Sequence, residues 1–266
     1  MGWNEVAANL FHRRYQPLDV SVCVVRGADG FGVVDTRSSP PQADELRADL
    51  RELGDLPVRW VVNTHAHFDH CFGNQRFTPA PIYGHVRMPA HLDQFERPEL
   101  ASQQAEVTIT PPTHLIDRQN EIAVGDRLVE LIHLGRGHTD NDLVVHVPDA
   151  AAWLVGDLVE ESGPPSYGPD SYPLEWPLTV ARLLTLAKGG AVLVPGHGQP
   201  VGPPFAQAQQ AQLAEVATLI RDLHAAGIPA GEAVAAGGTR WPLPPNDLGT
   251  AVEVAYAQLG PVMDAG

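Results

Sequence analysis

The sequence predicts an α/β fold, mixed in the α+β sense, in which β-sheets form a sandwich and helices cover its outer faces. Three observations predict it. Short β-branched runs joined by turn residues indicate hairpins early in the chain, and strand–helix–strand units follow later. Two four-residue runs, Ala152–Val155 and Ala191–Val194, are wholly apolar, as buried central strands tend to be. A single Rossmann sheet explains this order less well.

The first part of the chain alternates between strand and helix signals. Val20–Arg26 and Phe31–Asp35 are β-branched runs separated by G-A-D-G, which predicts a hairpin. Gln42–Gly54 carries leucines at helical spacing and ends on glycine, which predicts a helix. Val58–Val62 and Pro81–Gly84 are short apolar runs that predict two further strands.

The second part is richer in strands and then becomes helical. Thr113–Val147 contains four β-rich stretches with G-D and P-D turns between them. An amphipathic helix, Leu178–Ala187, is predicted between the two apolar runs. Phe205–Ala226 and Ala251–Leu259 predict two more helices. We predict a core over residues 1–200, with a helical segment over residues 201–266 that packs on it and forms no independent domain.

The composition argues against two classes of partner. The 266 residues include 17 basic and 32 acidic side chains, for a net charge of −15, and Lys188 is the single lysine. Nucleic acids and anionic membrane surfaces bind clustered lysine and arginine. We therefore expect neither as a partner, and expect a small-molecule substrate instead.

Cysteine content and the N-terminal sequence indicate the compartment. Cys23 and Cys71 are too few for a disulfide framework. The N-terminus has no basic segment followed by an apolar stretch, and no apolar run approaches the roughly 18 residues that a membrane span needs. We expect a soluble cytoplasmic protein, whose oligomeric state the sequence does not specify.

Three histidines and one aspartate fall within six residues of the stretch N-T-H-A-H-F-D-H-C, directly after the strand ending at Val62. A tight loop after a strand can turn these side chains toward a common point. Burying so many polar groups without a metal or other partners would be costly. The cluster, which consists of His65, His67, Asp69 and His70, therefore predicts metal binding.

Further ligands are expected at other strand ends, since one loop cannot complete two metal sites. Three candidates follow apolar β runs and have glycine directly before them: His138 in G-R-G-H, Asp157 in L-V-G-D and His197 in V-P-G-H. In sheet-based folds such loops gather along one edge, where sites are usually found.

The motifs T-H-A-H-F-D-H, G-H-T, G-D and P-G-H, in this order between Val20 and Gly198, resemble the metallo-β-lactamase fold superfamily. The resemblance implies a four-layer αβ/βα sandwich and a dinuclear metal site. It places three histidines on the first metal, three residues on the second and one carboxylate between them: His65, His67 and His138; Asp69, His70 and His197; and Asp157, respectively.

Departures from the family pattern reduce the range of activities that the resemblance implies. His67 stands where flavodiiron reductases have glutamate, which argues against that redox branch. Asp157 stands where zinc-dependent β-lactamases typically have cysteine or serine, which favours glyoxalase II-like, lactonase and phosphodiesterase-like hydrolases. G-H-T-D-N-D differs from the G-H-T-x-G-H of many glyoxalase II-like members and is similar, one residue shifted, to the G-H-T-x-D-N of some β-lactamases. The substrate stays open.

The resemblance implies a hydrolase in which a hydroxide shared by two divalent ions attacks the carbonyl of a small thioester, lactone, ester or β-lactam. Asp69 would hold and orient that hydroxide. Zinc is the default for such a ligand set, and iron or manganese bind a similar one. The alternatives are a mononuclear iron persulfide dioxygenase and a phosphodiesterase or nuclease of the same superfamily.

Residues around the ligands complete the hypothesis. Asp35 and Thr139 are candidates to hydrogen-bond ligand imidazoles. The Gly- and Pro-rich segment Glu160–Leu174 lies where family members build a loop over the metals, and three aromatic residues there are candidates for a substrate-facing wall: Tyr167, Tyr172 and Trp176. Phe68 is expected to pack into the core, and Cys71 to be a small buried residue pointing away from the site. The remaining histidines, including His91, are interpreted as structural or exposed.

Overall fold

A computed structural model of the chain describes residues 2–102 and 107–260 and contains two β-sheets. The first sheet has seven strands in chain order: β1 (Asn4–Ala7), β2 (Leu10–Tyr15), β3 (Val20–Arg26), β4 (Phe31–Val34), β5 (Val58–Val62), β6 (Ile82–His85) and β7 (His114–Ile116). Strands β1 to β4 pair antiparallel and β4 to β7 pair parallel. A hairpin region and a crossover region thus share one sheet.

The second sheet has five strands: β8 (Gln119–Val124), β9 (Arg127–Ile132), β10 (Val144–Val147), β11 (Ala152–Gly156) and β12 (Val192–Pro195). Neighbouring strands follow the chain order, and only β11 and β12 pair parallel. The parallel pair needs a crossover, which the segment between β11 and β12 provides with a long loop and one helix.

Eight α-helices complete the described part of the chain. They are α1 (Pro40–Asp49), α2 (Phe68–Cys71), α3 (Met88–His91), α4 (Arg97–Ser102), α5 (Trp176–Leu186), α6 (Pro203–Ala225), α7 (Ala230–Gly237) and α8 (Gly249–Leu259). A π-helical turn over Leu92–Glu96 joins α3 to α4. None of the described helices is long and apolar enough to cross a membrane.

The buried side chains divide into layers that define the sandwich. Along β3, Val22 and Val24 pack with the residues that α1 buries, whereas Cys23 and Val25 pack with residues of the second sheet. Alternate side chains of a strand point to opposite faces, so this sheet is covered on both sides. A third cluster joins the second sheet to α5–α8. The order helix, sheet, sheet, helix is the four-layer αβ/βα sandwich, and the predicted fold class is confirmed.

Several element boundaries differ from the predicted ones for local reasons. Helix α1 begins at Pro40 because the Ser39 side chain accepts a hydrogen bond from the backbone N–H of Gln42. Helix α5 begins at Trp176, two residues before the predicted start, with a proline in its first turn. The sequence analysis does not predict strands β1 and β2. Strand β2 reads L-F-H-R-R-Y, and its two consecutive arginines interrupt the alternation of apolar and polar residues that is typical of a strand.

Buried and exposed leucines of α5 should differ sharply in their contribution to stability. Leu183 is fully buried against the second sheet, whereas Leu178 on the same helix is 57% exposed. We expect Leu183→Ala to lower the free energy of unfolding by about 2–5 kcal/mol because it leaves a cavity. Leu178→Ala, the matched control, should change it by no more than about 0.5 kcal/mol. Urea unfolding of the metal-free protein followed by circular dichroism measures both, and equal losses would contradict this assignment of layers.

Candidate metal centre

The seven predicted ligand side chains converge at one edge of the sandwich. All of them lie in segments that follow a strand: His65, His67, Asp69 and His70 after β5, His138 after β9, Asp157 after β11 and His197 after β12. The two sheets therefore both contribute to the site. Its residues are separated by up to 132 positions in sequence, from His65 to His197, and only the packing of one sheet on the other brings them together.

The first group of ligand atoms consists of three imidazole nitrogens. Nδ1 of His67 lies 3.0 Å from Nε2 of His65 and 2.9 Å from Nε2 of His138. Oδ2 of Asp157 lies 3.7 Å from the His65 nitrogen and 3.4 Å from the His138 nitrogen. These four atoms surround one point, as the ligands of a single cation do.

The second group lies on the other side of Asp157. Nε2 of His70 and Nε2 of His197 are 3.3 Å apart, and Oδ2 of Asp69 lies 3.7 Å and 3.4 Å from them, respectively. Oδ1 of Asp157 lies 3.3 Å from the His70 nitrogen, and Oδ2 lies 3.4 Å from the His197 nitrogen. The Asp157 carboxylate thus faces both groups, which is the arrangement of a bridging ligand.

The outer nitrogen of each imidazole already serves as a hydrogen-bond donor. Nε2 of His67 donates to Asp170 at 2.8 Å, and Nδ1 of His70 donates to Asp35 at 2.8 Å. The other three donate from Nδ1: His65 to Thr64 Oγ1 at 3.1 Å, His138 to the Ser166 carbonyl at 3.1 Å and His197 to the Leu18 carbonyl at 2.8 Å. Carboxylates and carbonyls only accept, and the Thr64 hydroxyl already donates to Asp35. The inner nitrogen of every ring is therefore the one available to a cation.

This donor set fits a pair of divalent cations. Inner nitrogens from five rings meet at 2.9 to 3.3 Å, and Oδ1 of Asp157 has no hydrogen-bond partner among the described residues. Such a concentration of buried lone pairs and negative charge is costly unless a cation offsets it. Imidazole nitrogen and carboxylate oxygen are ligands for zinc, iron and manganese alike.

His65 and His138 of the first group differ from the two histidines of the second group in how they hold protons. Burial lowers the pKa of His65 far below its usual value and that of His138 to about 4. Burial also opposes charge on His70 and His197, but Asp157 outweighs it, helped by Asp69, and raises their pKa values to about 9 and about 11, respectively. In the metal-free protein, the second group therefore holds protons at neutral pH that a bound metal must displace.

Asp35 holds His70, one of the residues of the second group, by accepting a hydrogen bond from its outer nitrogen. It follows β4, is buried, and accepts hydrogen bonds from the backbone N–H and hydroxyl of Thr64 and from His70, each at 2.8 Å. This is the contact with a ligand imidazole that the sequence predicted for Asp35. Thr139 behaves differently: its hydroxyl donates to Asp142 at 2.6 Å and closes a local turn, so it orients no ligand.

Glycines before the ligands are required by close approach of the backbone. A Cβ at Gly196 would lie 1.8 Å from Oδ1 of Asp157, so any other residue would displace that carboxylate. Gly156, directly before Asp157, has a φ of +53° and packs against Thr64. Glycine is therefore required directly before Asp157 and directly before His197, because a larger residue would not fit at either position.

Asp170 and His91 belong to the site although the sequence analysis did not assign them to it. Oδ2 of Asp170 accepts from His67 and lies 3.2 Å from Nε2 of His91. Burial opposes charge on both histidines, but Asp170 outweighs it and raises the pKa of His67, and Asp140 and Asp170 together raise that of His91 to about 9. A carboxylate that holds the outer nitrogen of a ligand histidine fixes the orientation of its ring. Asp170 is a single acid in an irregular loop, and no spacing rule in the sequence marks it.

Glu160 is a second unpredicted neighbour of the ligands. It is buried, and one of its carboxyl oxygens lies within 4.8 Å of ligand atoms of Asp157 and His197. Burial, reinforced by the charge of Asp157, raises the pKa of Glu160 well above its ordinary value. Glu160 comes three residues after Asp157, and the sequence could have marked it only by that proximity.

A cavity of about 520 Å³ opens onto the ligand cluster. The loop from Glu160 to Asp170 lines one side of it, and Leu18, Phe68 and Phe95 supply apolar surface. Phe68 was expected to pack into the core, but it is 43% exposed and lines the cavity. Cys71 is buried on the other side of the same short helix, among Phe72, Met88 and Leu92, and points away from the ligands as expected.

The three aromatic residues predicted to face the substrate lie outside the lining of this cavity. Trp176 is fully buried, donates to the Leu158 carbonyl at 3.1 Å and packs edge-on against the ring of His138. Tyr167 packs against Trp176, and Tyr172 lies under the guanidinium of Arg136. Tyr167 and Trp176 are buried in the core, where burial of large rings is favourable, whereas Tyr172 is half-buried against Arg136. The loop presents glycines, prolines and serines to the cavity instead.

Comparisons with known proteins agree with this geometry. The sequence model of the metallo-beta-lactamase superfamily matches residues 15–197. The chain is 27% identical to the acyl-coenzyme A thioesterase MBLAC2 of Homo sapiens over 68% of this chain and 74% of that protein. It is 25% identical to the metallo-beta-lactamase type 2 of Bacillus cereus over 66% of each.

Solved structures show the same fold at lower identity. A metallo-beta-lactamase from Pontibacter korlensis has a TM-score of 0.68 at 19% identity and covers 79% of this chain and 97% of its own. The sec-alkylsulfatase Pisa1 from Pseudomonas sp. has a TM-score of 0.80 at 16% identity and covers 100% of this chain and 51% of its own. The TM-scores show that these proteins share the fold of this chain, and at identities of 16–19% the likeness extends to the fold alone.

Removing the charge of Asp170 should weaken metal binding. Asp170→Asn keeps the shape of the side chain but loses the negative charge that holds His67, so we expect the affinity for zinc to fall about 10- to 100-fold. Asp93→Asn, the same change at a site whose side chain is 68% exposed, is the control. Competition with a chromophoric chelator measures both affinities. Equal affinities in the two variants would show that Asp170 does not position the ligand.

Metal binding should release protons and strengthen as the pH rises. The metal-free pKa values of His70 and His197, about 9 and about 11, lie above neutral pH, so both rings are protonated there and must lose a proton to bind a cation. We expect at least about two protons to be released at pH 7 when zinc fills the site, because the raised pKa of His67 can only add to the protons from His70 and His197. Calorimetry in buffers of different ionisation enthalpy counts them, and His70→Gln should release one fewer. An unchanged heat across buffers would contradict this.

Proposed function

Because the chain belongs to the metallo-beta-lactamase superfamily, we propose that it is a dinuclear metal-dependent hydrolase acting on the carbonyl of a small thioester, lactone, ester or β-lactam. The observation that carries this proposal is the pairing of two ligand groups across one carboxylate. Five imidazoles present an inner nitrogen to the same region, with Asp157 facing all but one of them directly and Asp69 beside the second group.

The metals and the chain divide the chemistry between them. When bound, two divalent ions lower the pKa of a water molecule that they share from about 16 to near 7 and polarise a substrate carbonyl. Three residues would hold each ion, with Asp157 touching both: His65, His67 and His138 for the first, and Asp69, His70 and His197 for the second. The hydrogen bonds that the rings donate to Asp35, Asp170 and backbone carbonyls fix the rings in the required tautomers.

Asp69 is the catalytic residue in this proposal. Its carboxylate lines the cavity, and its Oδ2 lies 3.4 Å from Nε2 of His197. From there Asp69 would accept a hydrogen bond from the attacking water and direct a lone pair of that water toward the carbonyl carbon. We find no need for a protein nucleophile, because the attacking oxygen comes from water.

The ligand types indicate the metal, and the similar proteins indicate the kind of substrate. Zinc is the ion we expect, because it suits a histidine-rich set with two carboxylates, while iron or manganese bind similar sets. The thioesterase and the β-lactamases to which the chain is similar are both named for hydrolysis of a carbonyl bond. That common step supports a carbonyl substrate.

Turnover of a substrate panel by the zinc-loaded protein tests the function. The panel contains S-lactoylglutathione, a fatty acyl thioester, an acyl-homoserine lactone and nitrocefin, and a chelator should abolish activity on whichever compound is hydrolysed. Asp69→Ala should lower kcat by about 10²- to 10⁴-fold, because it removes the group that orients the water. Asp93→Ala, far more exposed, is the control.

Two results would contradict the proposal. Hydrolysis that is undiminished in Asp69→Ala would remove the assigned role of that residue. Purification with one iron per chain, together with oxygen uptake that depends on glutathione persulfide, would establish the mononuclear dioxygenase instead. Metal analysis of the protein as purified separates these cases, since the hydrolase should carry two divalent ions.

A further inference from the structure

A buried glutamine connects helix α6 to the turn that follows Asp157. Helix α6 buries one face against the core, and the residues of that face recur at helical spacing: Ala206, Gln209, Leu213, Val216, Ala217, Leu219, Ile220 and Leu223. Gln209 is the one polar side chain among them, and it is 4% exposed. Burial of an amide costs free energy unless the amide is hydrogen-bonded, so the partners of Gln209 indicate why it stands in this position.

Both polar atoms of the Gln209 amide contact the backbone of residues 157–160, which form a turn directly after β11. Nε2 of Gln209 donates to the Leu158 carbonyl at 3.0 Å, and Oε1 accepts from the backbone N–H of Glu160 at 2.9 Å. One contact needs a donor and the other needs an acceptor, so together they allow a single orientation of the amide. The side chain therefore bridges two backbone groups of the turn.

The two backbone groups depend on Gln209 to different degrees. The Leu158 carbonyl also accepts a hydrogen bond from Nε1 of Trp176 at 3.1 Å. The Glu160 N–H has no other acceptor among residues 2–102 and 107–260. A buried backbone N–H that loses its acceptor is costly. Removal of the amide would therefore favour a different conformation of the turn.

The conformation of this turn determines where the Asp157 carboxylate lies. Asp157 directly precedes Leu158, and its two oxygens lie 3.3 to 3.7 Å from imidazole nitrogens of both ligand groups. The carboxylate also has little free space, since a Cβ at Gly196 would lie 1.8 Å from Oδ1. Distances from ligand atoms to a metal vary by only about 0.2 Å. A small shift of the turn would therefore weaken the ligation of an ion.

Gln209 lies outside the part of the chain that the family model matches, which ends at residue 197. The connection to the ligands is nevertheless short, because Leu158 is the residue directly after Asp157 and accepts from Gln209 itself. Helix α6 thus contacts the metal centre through one side chain, in addition to its apolar packing on the second sheet.

We propose that Gln209 is a positioning residue of the metal centre. By holding the Leu158 carbonyl and the Glu160 N–H, it fixes the turn over residues 157–160 and keeps the Asp157 carboxylate between the two ligand groups. Gln209 touches neither the ions nor a substrate, and it acts through the backbone on either side of Val159. This inference rests on the dinuclear centre of the proposed function.

The affinity for zinc tests this role. Gln209→Met keeps the length of the side chain and removes both hydrogen-bonding groups, so we expect zinc affinity to fall about tenfold, as when a partner outside the ligands is lost. Competition with a chromophoric chelator measures the affinity. Gln207→Met makes the same change at an exposed position of α6 and should leave the affinity unchanged.

A second variant separates positioning from a general loss of stability. Leu213→Ala leaves a cavity in the core about one turn further along α6, so it should lower the stability of the metal-free protein at least as much as Gln209→Met does. It leaves the hydrogen bonds to the turn in place, and its zinc affinity should stay near that of the unchanged protein. Equal losses of zinc affinity in the two variants would make Gln209 a part of the core only and overturn the proposal.

Amide hydrogen exchange, followed by NMR in the metal-free protein, observes the turn directly. The Glu160 N–H should exchange at least about tenfold faster in Gln209→Met, because it has lost its acceptor. The Leu193 N–H, which donates to the Val201 carbonyl at 2.9 Å, reports on the second sheet and should change far less. Equal acceleration of both amides would show a general loosening of the fold and contradict a specific hold on the turn.

The outcomes for Gln209 and for the hydrolase are distinguishable. Zinc binding without turnover of any substrate would contradict the hydrolase and leave the role of Gln209 intact. Undiminished zinc affinity in Gln209→Met would overturn that role and leave the hydrolase intact.

Discussion

The carboxylate of Asp157 is the point on which the arrangement of the site depends. It comes from the second sheet, is buried, and faces the imidazoles that follow β5 of the first sheet as well as those that follow β9 and β12. Its Oδ1 has no hydrogen-bond partner among residues 2–102 and 107–260. A buried carboxylate in this position is favourable only beside cations. The interface between the sheets is thus also the place where a bound metal would hold them together.

The surroundings of the rings come from both halves of the sandwich. Asp35, from the end of β4, fixes His70, while Asp170 and the Ser166 carbonyl, from the loop before α5, fix His67 and His138. The same loop lines the cavity. Orientation of the ligands and shape of the substrate wall are therefore coupled, and a substitution in this loop should change both metal affinity and substrate binding.

The sequence predicted the parts of the site that follow simple local rules. Histidines and acids placed after apolar strands, with glycine before them, could be recognised because a strand end and a glycine constrain where the side chain goes. Asp170 could not, because it reaches His67 across 103 residues through an irregular loop. His91 was interpreted as structural or exposed because no neighbouring sequence pairs it with Asp170. Short strands such as β2 were missed because packing against β1 and β3, and not the alternation alone, makes them strands.

The aromatic residues show why the wall of a site is harder to predict than its ligands. Trp176 and Phe68 are both large and apolar, but the first begins a helix over the core and the second lies on the outer side of a four-residue helix. Composition cannot distinguish these positions. Several acids of the cavity lining, in contrast, could be recognised as possible ligands, namely Asp69 and Asp157, whereas Asp170 orients the ring of His67 and carries no local signal in the sequence.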